Sequence, residues 1–435
     1  MLQAVINAFK IPDLRRKILY TLGMLVLFRI IASVPVPGVD REGLRQYIET
    51  NQLLGMLNLF SGGGLRSFSI AALGVYPYIT ATIIMQLMTP IIPRLNELSM
   101  EGQQGRNQID RYTHYITVPL AMLQGYGQML LFSSDQSGNL VKNFGLFDRD
   151  TFLPTIAILF TLTAGTMLLV WIGELITENG IGNGVSIIIF GGIVASLPGA
   201  VSGLVSGGTI AQNVFGTLLF LLIGLITVVG IVLINEGQRK IPVHHAKRIR
   251  AGRQYGGNTT NIPLKVNSAG MIPLIFAVSI MVFPGMVANF LSGSGAGWLG
   301  DAARKLSEWL SPDTVPYNIV YFFMVVGFTF FYTMVIFQQQ HIPESLQRQG
   351  AFIPGVRPGR QTEVYLQKVL SRITIVGALF LGIVAILPFI AAQITGVQNL
   401  LLSATSLLIV VGVAIDTMRQ LEAQLLMRNY EGFID

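Results

Sequence analysis

Ten apolar stretches of about 20 residues, almost free of charge, set the pattern of the chain. A run of this length crosses a bilayer as one helix, so the pattern predicts ten membrane-spanning helices. The runs lie at residues 16–34, 68–91, 113–132, 152–173, 184–204, 213–235, 268–290, 317–338, 370–390 and 399–416. Only the first run holds a charge well inside it, Arg29.

The composition agrees with this pattern. Hydrophobic residues make up 51% of the 435 residues and charged residues 12%, whereas soluble proteins carry about 25% charged residues. Such a chain cannot cover a water-facing surface, which argues against a soluble enzyme. The absence of Cys argues against a disulfide-built secreted protein. With only four His besides, we expect no metal site.

The basic residues between the spans predict the orientation. With the N-terminus inside, the inner segments hold 21 of the 29 Lys and Arg residues and the outer segments hold seven. Cytoplasmic loops carry the excess of Lys and Arg in membrane proteins. We therefore expect both termini to face the cytoplasm.

Two inner segments, residues 236–267 and 339–369, concentrate this basic excess. Some of their Arg residues lie at the segment centres: Arg248, Arg250, Arg253, Arg357 and Arg360. Projecting Arg residues suit a phosphate-rich or acidic partner. The alternative is that they only determine topology and contact anionic lipid.

The middle of the spans offers no chemistry for a reaction. Proton-coupled transport or hydrolysis needs Asp, Glu or His at membrane depth, and the candidates Glu174, Glu178, Glu236 and Asp416 all lie at span ends. The glycines of ENGIGNG, residues 178–184, have the wrong spacing for a dinucleotide site. We expect no catalytic residue and no cofactor. A secondary transporter of a small solute is the alternative, and a membrane enzyme is the third possibility.

Irregular features interrupt some spans. Gly62, Gly63 and Gly64 follow a short apolar stretch, and each Gly costs about 1 kcal/mol in a helix. The helix should therefore break there, leaving a re-entrant half-helix before the second span. Pro77 and Pro273 are expected to interrupt their spans.

Seven longer motifs occur along the chain in a definite order and placement on spans and loops. They are VPVPGVD (34–40), NLFSGGGLRSFSIAALGVYPYITATIIMQL (58–87), GTMLLVWIGELITENGIGNGVSIIIFGGIV (165–194), INEGQRKIPVHHAKR (234–248), NIPLKVNSAGMIPLIFA (261–277), GAFIPGVRPGRQT (350–362) and TSLLIVVGVAIDTM (405–418). Together they resemble the SecY family of bacterial protein-conducting channels over nearly the whole chain.

This resemblance implies an all-α hourglass of ten helices in two inverted halves, residues 1–205 and 206–435. It implies a plug at 57–67 with its hinge at the glycine triplet, and a lateral gate between spans 2–3 and 7–8, where Gln86 and Gln124 are candidates to face the seam. Six aliphatic residues would form the pore ring: Val75, Ile79, Val185, Ile189, Ile275 and Ile409.

The resemblance also implies function and partners. The chain would carry unfolded secretory polypeptides across the bacterial inner membrane and release signal and transmembrane segments into lipid. SecE and SecG would be its membrane subunits. SecA, an ATP-driven motor, and the ribosome with its RNA would dock on the two basic segments.

Overall fold

A computed structural model describes most of the chain. The described residues are 9, 11–36, 39, 42–44, 58, 61–133, 149–206, 214–245, 248–250, 253–255, 259–270, 272–293, 305–306, 309–311, 314–340, 342–395 and 401–431. They are mostly helical, as predicted, and they include a small sheet that an all-α fold does not contain.

The helices of the described residues are numbered here in chain order. They are α1 Pro12–Ser33, α2 Tyr76–Met88, α3 Pro93–Met100, α4 Gln103–Ser133, α5 Arg149–Asn179, α6 Gly184–Ser206, α7 Val214–Glu236, α8 Ile272–Gly293, α9 Val315–Gln339, α10 Ile342–Arg348, α11 Arg360–Thr395 and α12 Leu401–Glu431. The strands are β1 Gln238–His245, β2 Arg248–Arg250, β3 Arg253–Tyr255, β4 Thr259–Lys265 and β5 Ala351–Phe352.

The chain forms two compact units. The first comprises Met1–Leu222, Val278–Asn318 and Pro388–Asp435, and the second comprises Ile223–Ala277 and Ile319–Leu387. In the first unit, α4 packs against α2 and α5, and α6 packs against α5 and α12. The predicted division into halves at residues 205 and 206 stays a prediction.

The helices expose large apolar side chains on their outer faces. On α1, Leu14, Phe28 and Ala32 are buried, whereas Val26 and Ile30 are 61% and 58% exposed. Elsewhere Leu153 is 74% exposed and Leu225 is 65% exposed. A soluble monomer rarely exposes so much apolar surface, whereas a lipid-facing helix must do so.

Three helices within the described residues are long and apolar enough to cross a membrane. They are Thr151–Asn179, Val315–Arg348 and Arg360–Ala391, with mean hydropathies of 2.1, 2.2 and 2.7. Shorter apolar helices cover Gly184–Ser196, Leu222–Glu236 and Ile272–Met281. These findings support a membrane protein, and the count of ten spans stays a prediction.

Two predicted interruptions are helix starts instead. Pro77 and Pro273 each occupy the second residue of a helix, in α2 and α8. Pro is tolerated in the first helical turn because the N–H that it lacks has no partner there. The predicted span 68–91 is accordingly helical only over Tyr76–Met88, and residues 68–75 form turns with one isolated bridge at Ser69.

The small sheet lies in the second unit and joins the two basic segments. Its order is β4-β1-β5. β1 and β4 are antiparallel from Gln238↔Lys265 to His244↔Thr259, and β5 adds His245↔Ala351. Apolar residues from all three strands and from α9 and α11 form its core: Ile241, Val243, Leu264, Phe337, Ala351, Ile353, Leu366, Val369 and Leu370.

Candidate functional site

A glycine turn, residues 61–75, precedes α2. Gly62 and Gly63 have φ angles of +64° and +86°, a region that glycine adopts without steric cost. The helix break predicted at the triplet is therefore present in the structure. Residues 57, 59 and 60 of the predicted plug lie outside the described residues.

The glycine turn lies against α1 and α6. A Cβ added to Gly192 would overlap the Cα of Gly62, and one added to Gly62 would overlap the ring of Phe28. Backbone bonds also connect the turn to the segment after α1, because Val36 N donates to Phe68 O at 2.9 Å and Ile70 N donates to Val34 O at 3.0 Å. The turn therefore depends on close backbone contact with its neighbours.

Arg29, the one charge well inside an apolar run, has a defined role here. Its Nη1 donates to the carbonyl oxygen of Gly62 at 3.0 Å. Ser67 adds a second bond from the turn to α1, from its Oγ to Ala32 O at 3.1 Å. The charge thus satisfies a carbonyl that the broken helix leaves without its usual partner.

The six predicted pore residues are mostly buried. Val75 is the residue before α2 and is fully buried, and Ile79, Ile189, Ile275 and Ile409 are 1–7% exposed. Val185 is half-buried. Ile275 belongs to the second unit and the other five to the first. Their assignment as one ring stays a prediction.

Some buried polar side chains of the first unit lack a hydrogen-bond partner among the described residues. Gln124 and Gln128 are 5% and 3% exposed. Their Oε1 atoms, with that of Gln86, have no hydrogen-bond partner among the described residues. A buried amide oxygen without a partner is costly, so these oxygens destabilise the packing around them.

A second polar group, which the sequence did not predict, joins α4 to the last part of α5. Nε2 of His114 lies 2.8 Å from Oε1 of Glu174, and its Nδ1 lies 2.7 Å from the carbonyl oxygen of Asp110. Burial raises the pKa of the Asp110 carboxyl, and His114 and Arg106 oppose that shift. His114 and Glu174 are 60 positions apart in the sequence, so no local motif predicts this pair.

The basic turn, residues 355–360, is hydrogen-bonded to α11 and presents exposed side chains. Gly355 and Gly359 have φ angles of +83° and +97°. The hydroxyl of Thr362 donates to the carbonyl oxygen of Arg357 at 2.9 Å, which ties the turn to the start of α11. The side chains of Arg357 and Arg360 are exposed. The backbone is thus constrained while both guanidinium groups face outward.

The basic hairpin, β2 and β3, holds the other three predicted Arg residues. Its register pairs Arg248 with Tyr255 and Arg250 with Arg253. Register partners lie on the same face of an antiparallel ladder, so three basic positions share one face. The structure does not bring a metal cluster together: within the described residues, no three His, Asp or Glu side chains form a metal-binding group.

Comparison with known proteins gives one consistent family. The family described as SecY matches residues 69–418. The protein translocase subunit SecY of Streptomyces scabiei is 44% identical over 446 residues, and that of Mycobacterium tuberculosis is 42% identical over 451 residues. Both alignments cover 100% of each chain.

Solved structures show the same architecture. A protein-conducting channel has a TM-score of 0.62 at 18% identity, covering 96% of each chain. Sec61 from the canine ribosome–channel complex has a TM-score of 0.60 at 18% identity, again covering 96% of each chain. The fold is therefore that of the protein-conducting membrane channels. On its sequence, the chain belongs to the SecY family.

Proposed function

We propose that the chain is the channel-forming subunit of a protein translocase. It conducts unfolded secretory polypeptides across the membrane and releases signal and transmembrane segments sideways into lipid. The full-length identity of 42–45% to SecY translocase subunits carries this proposal. The proposed architecture is ten spans in two halves around an hourglass pore, with the lateral gate between spans 2–3 and 7–8.

The pore ring of Val75, Ile79, Val185, Ile189, Ile275 and Ile409 suits a channel that passes every kind of side chain. Branched aliphatic groups make weak, non-directional contacts, so they do not retain a polar segment. When no chain is present, a narrow apolar constriction loses its water and blocks ions. The aliphatic character and burial of these residues support this role.

The plug, Leu57–Ser67, forms a second barrier in this proposal. The hydrogen bonds from Arg29 to Gly62 and from Ser67 to Ala32 would retain the plug on α1 in the idle state. In a related SecY structure, with a TM-score of 0.62, the plug domain stabilises the closed state and maintains a membrane seal. A translocating chain would displace the plug by breaking these few bonds.

The basic turn and the basic hairpin would form the docking surface for the energy source. Sec61 was solved in a canine ribosome–channel complex, and yeast Ssh1 was solved bound to the yeast 80S ribosome. By analogy, this chain would bind the ribosome and SecA through Arg248, Arg250, Arg253, Arg357 and Arg360, and would assemble with SecE and SecG. It would lie in the bacterial cell membrane with both termini in the cytoplasm.

A binding measurement separates this function from that of a small-solute transporter. Purified protein in detergent is titrated with SecA and, separately, with ribosomes. The channel proposal expects saturable binding of both that weakens with salt, because basic side chains contact acidic or phosphate groups. If neither SecA nor the ribosome binds at low salt, the proposal is contradicted.

A further inference from the structure

The turn after β4, residues 266–270, leads from the small sheet into α8. The backbone N–H of Val266 donates to the carbonyl oxygen of Gly237 at 2.9 Å, which continues the ladder of β1 and β4 by one bond. Helix α11 approaches the same turn, because a Cβ added to Gly377 would overlap the carbonyl oxygen of Val266. The turn is therefore packed between the sheet and a predicted span.

Asn267 ties this turn to the end of α7. Its Nδ2 donates to Oδ1 of Asn235 at 2.8 Å and to the carbonyl oxygen of Gly270 at 3.1 Å. Asn235 lies in the last turn of α7, and Gly270 lies two residues before α8. One side-chain amide thus connects the end of the predicted span 213–235 to the start of the predicted span 268–290.

This amide pair is buried and incompletely satisfied. Asn267 and Asn235 are 4% and 5% exposed. Oδ1 of Asn267 has no hydrogen-bond partner within the described part of the chain. A polar network that is half satisfied is less stable than apolar packing, and residues that break such rules cluster at functional sites. Stability alone therefore does not account for the pair.

Helix α8 leads from this turn toward the proposed pore and gate. It begins in the second unit with Ile272, carries Ile275, and continues in the first unit from Val278 onward. Within the first unit, the hydroxyl of Tyr76 on α2 donates to the carbonyl oxygen of Ser279 on α8 at 2.7 Å. The helix that starts at the turn thus contacts α2, which belongs to the other side of the proposed lateral gate.

We propose that Asn267 is a positioning residue that transmits the docking of a partner to the gate. Its two bonds hold the sheet turn, the end of α7 and the start of α8 together, so a displacement of the sheet moves the start of α8 with it. Without these bonds the turn yields, and a docked partner leaves α8 in its idle position. The inference rests on the proposed function, which supplies the docking surface and the gate.

Matched variants separate coupling from docking. Asn267→Ala removes both donated bonds, while Asn261→Ala makes the same change at an exposed position on β4. Gate opening is followed by energy transfer between dyes on cysteines introduced at Pro90, after α2, and at Ile272. The chain has no Cys of its own, so the dyes react only at these two positions. SecA binding and precursor import into vesicles are measured on the same variants.

Loss of coupling has a distinct signature. All three proteins should bind SecA with the same affinity. Saturating SecA with ATP should change the energy transfer in the wild type and in Asn261→Ala, and should change it much less in Asn267→Ala. Import by Asn267→Ala should fall about tenfold, which is within the range typical of coupling between two sites. A residue that only stabilises the fold would not separate binding from the gate response.

A double-mutant cycle tests whether the two amides act as one pair. Asn235→Ala should weaken the gate response, and the double variant should be no worse than Asn267→Ala, because both changes remove the same bond. Every measurement is made well below the melting temperature of the variant, so that unfolding does not imitate a loss of coupling. Additive losses in the double variant would overturn the assignment to the pair.

The outcomes distinguish this inference from the proposed function. A full gate response and full import by Asn267→Ala would overturn the inference and leave the proposed function in place. Weaker SecA binding by Asn267→Ala, in proportion to its loss of import, would also overturn it, because the residue would then act on docking alone. A wild type that binds neither SecA nor the ribosome would contradict the proposed function and this inference together.

Discussion

The glycine turn and the small sheet achieve order in opposite ways. The turn has positive φ angles at Gly62, Gly63 and Gly74, and even at Phe68, where φ is +40°. The sheet has regular register along seven residue pairs of β1 and β4 and an apolar core that it shares with α9 and α11. The turn therefore depends on close backbone contacts with its neighbours, whereas the sheet depends on a regular ladder and a packed core. In the proposed function, this difference suits a plug that is displaced and a docking surface that keeps its shape.

The largest effect is expected in the basic turn, which follows strand β5 of the sheet. Arg357→Glu should nearly abolish SecA-driven export, and Arg357→Lys should weaken it clearly, because an ammonium cannot make the bidentate bonds of a guanidinium. Precursor import into vesicles that carry equal amounts of each variant measures this. Arg348→Glu is the control, because Arg348 is equally basic and exposed but lies on α10, outside the basic turn. Full activity of both Arg357 variants would leave only a topology role for this residue.

Next in size is a change to the pore ring. Replacing Ile79, Ile189 and Ile275 together with Asn should make the idle channel leak ions, because a polar constriction stays wet. Planar-bilayer conductance measures the leak. The triple exchange to Val is the control, since it keeps the ring apolar. Asn variants as tight as the wild type would contradict the pore-ring assignment.

A smaller effect is expected at the glycine turn. Gly192→Ala introduces a Cβ that overlaps Gly62, so it should displace the turn, raise the frequency of channel openings and let defective signal sequences be exported. Deletion of Leu57–Ser67 should act in the same direction and more strongly. Gly23→Ala on α1 is the control, because its Cβ meets nothing within 4 Å. If Gly192→Ala stays as selective and as tight as the wild type, the turn is not part of the seal.

The smallest effect on export is expected from Leu366→Ala in the core of the sheet. Loss of a buried Leu costs about 2–5 kcal/mol of stability, but the ladder between β1 and β4 remains. The second unit should melt at a lower temperature while export below that temperature stays near normal. Val364→Ala, at a site that is 57% exposed, is the control. Loss of export well below the melting temperature of the variant would contradict this expectation.

Local features were predictable from the sequence, and long-range pairings were not. The glycine triplet predicted the helix break. The hydrogen bond from Arg29 to Gly62 joins residues 33 positions apart, so no local sequence pattern predicts it. The sheet had a signal that was missed: Ile241 and Val243, like Ile262 and Leu264, alternate with polar or Pro residues as strands do. The pairing of β1 with β5, more than 100 residues later, has no such signal.

The central claim is that a polypeptide passes through the apolar ring, and site-specific crosslinking tests it most directly. A photoreactive side chain is placed at Ile79, at Ile275 or, as a control, at Leu225, which is 65% exposed on α7. A secretory precursor is then arrested during translocation. Strong crosslinks from Ile79 and Ile275 and none from Leu225 are the predicted result. Crosslinks of equal strength from all three positions, or none from the two ring positions, would contradict the account.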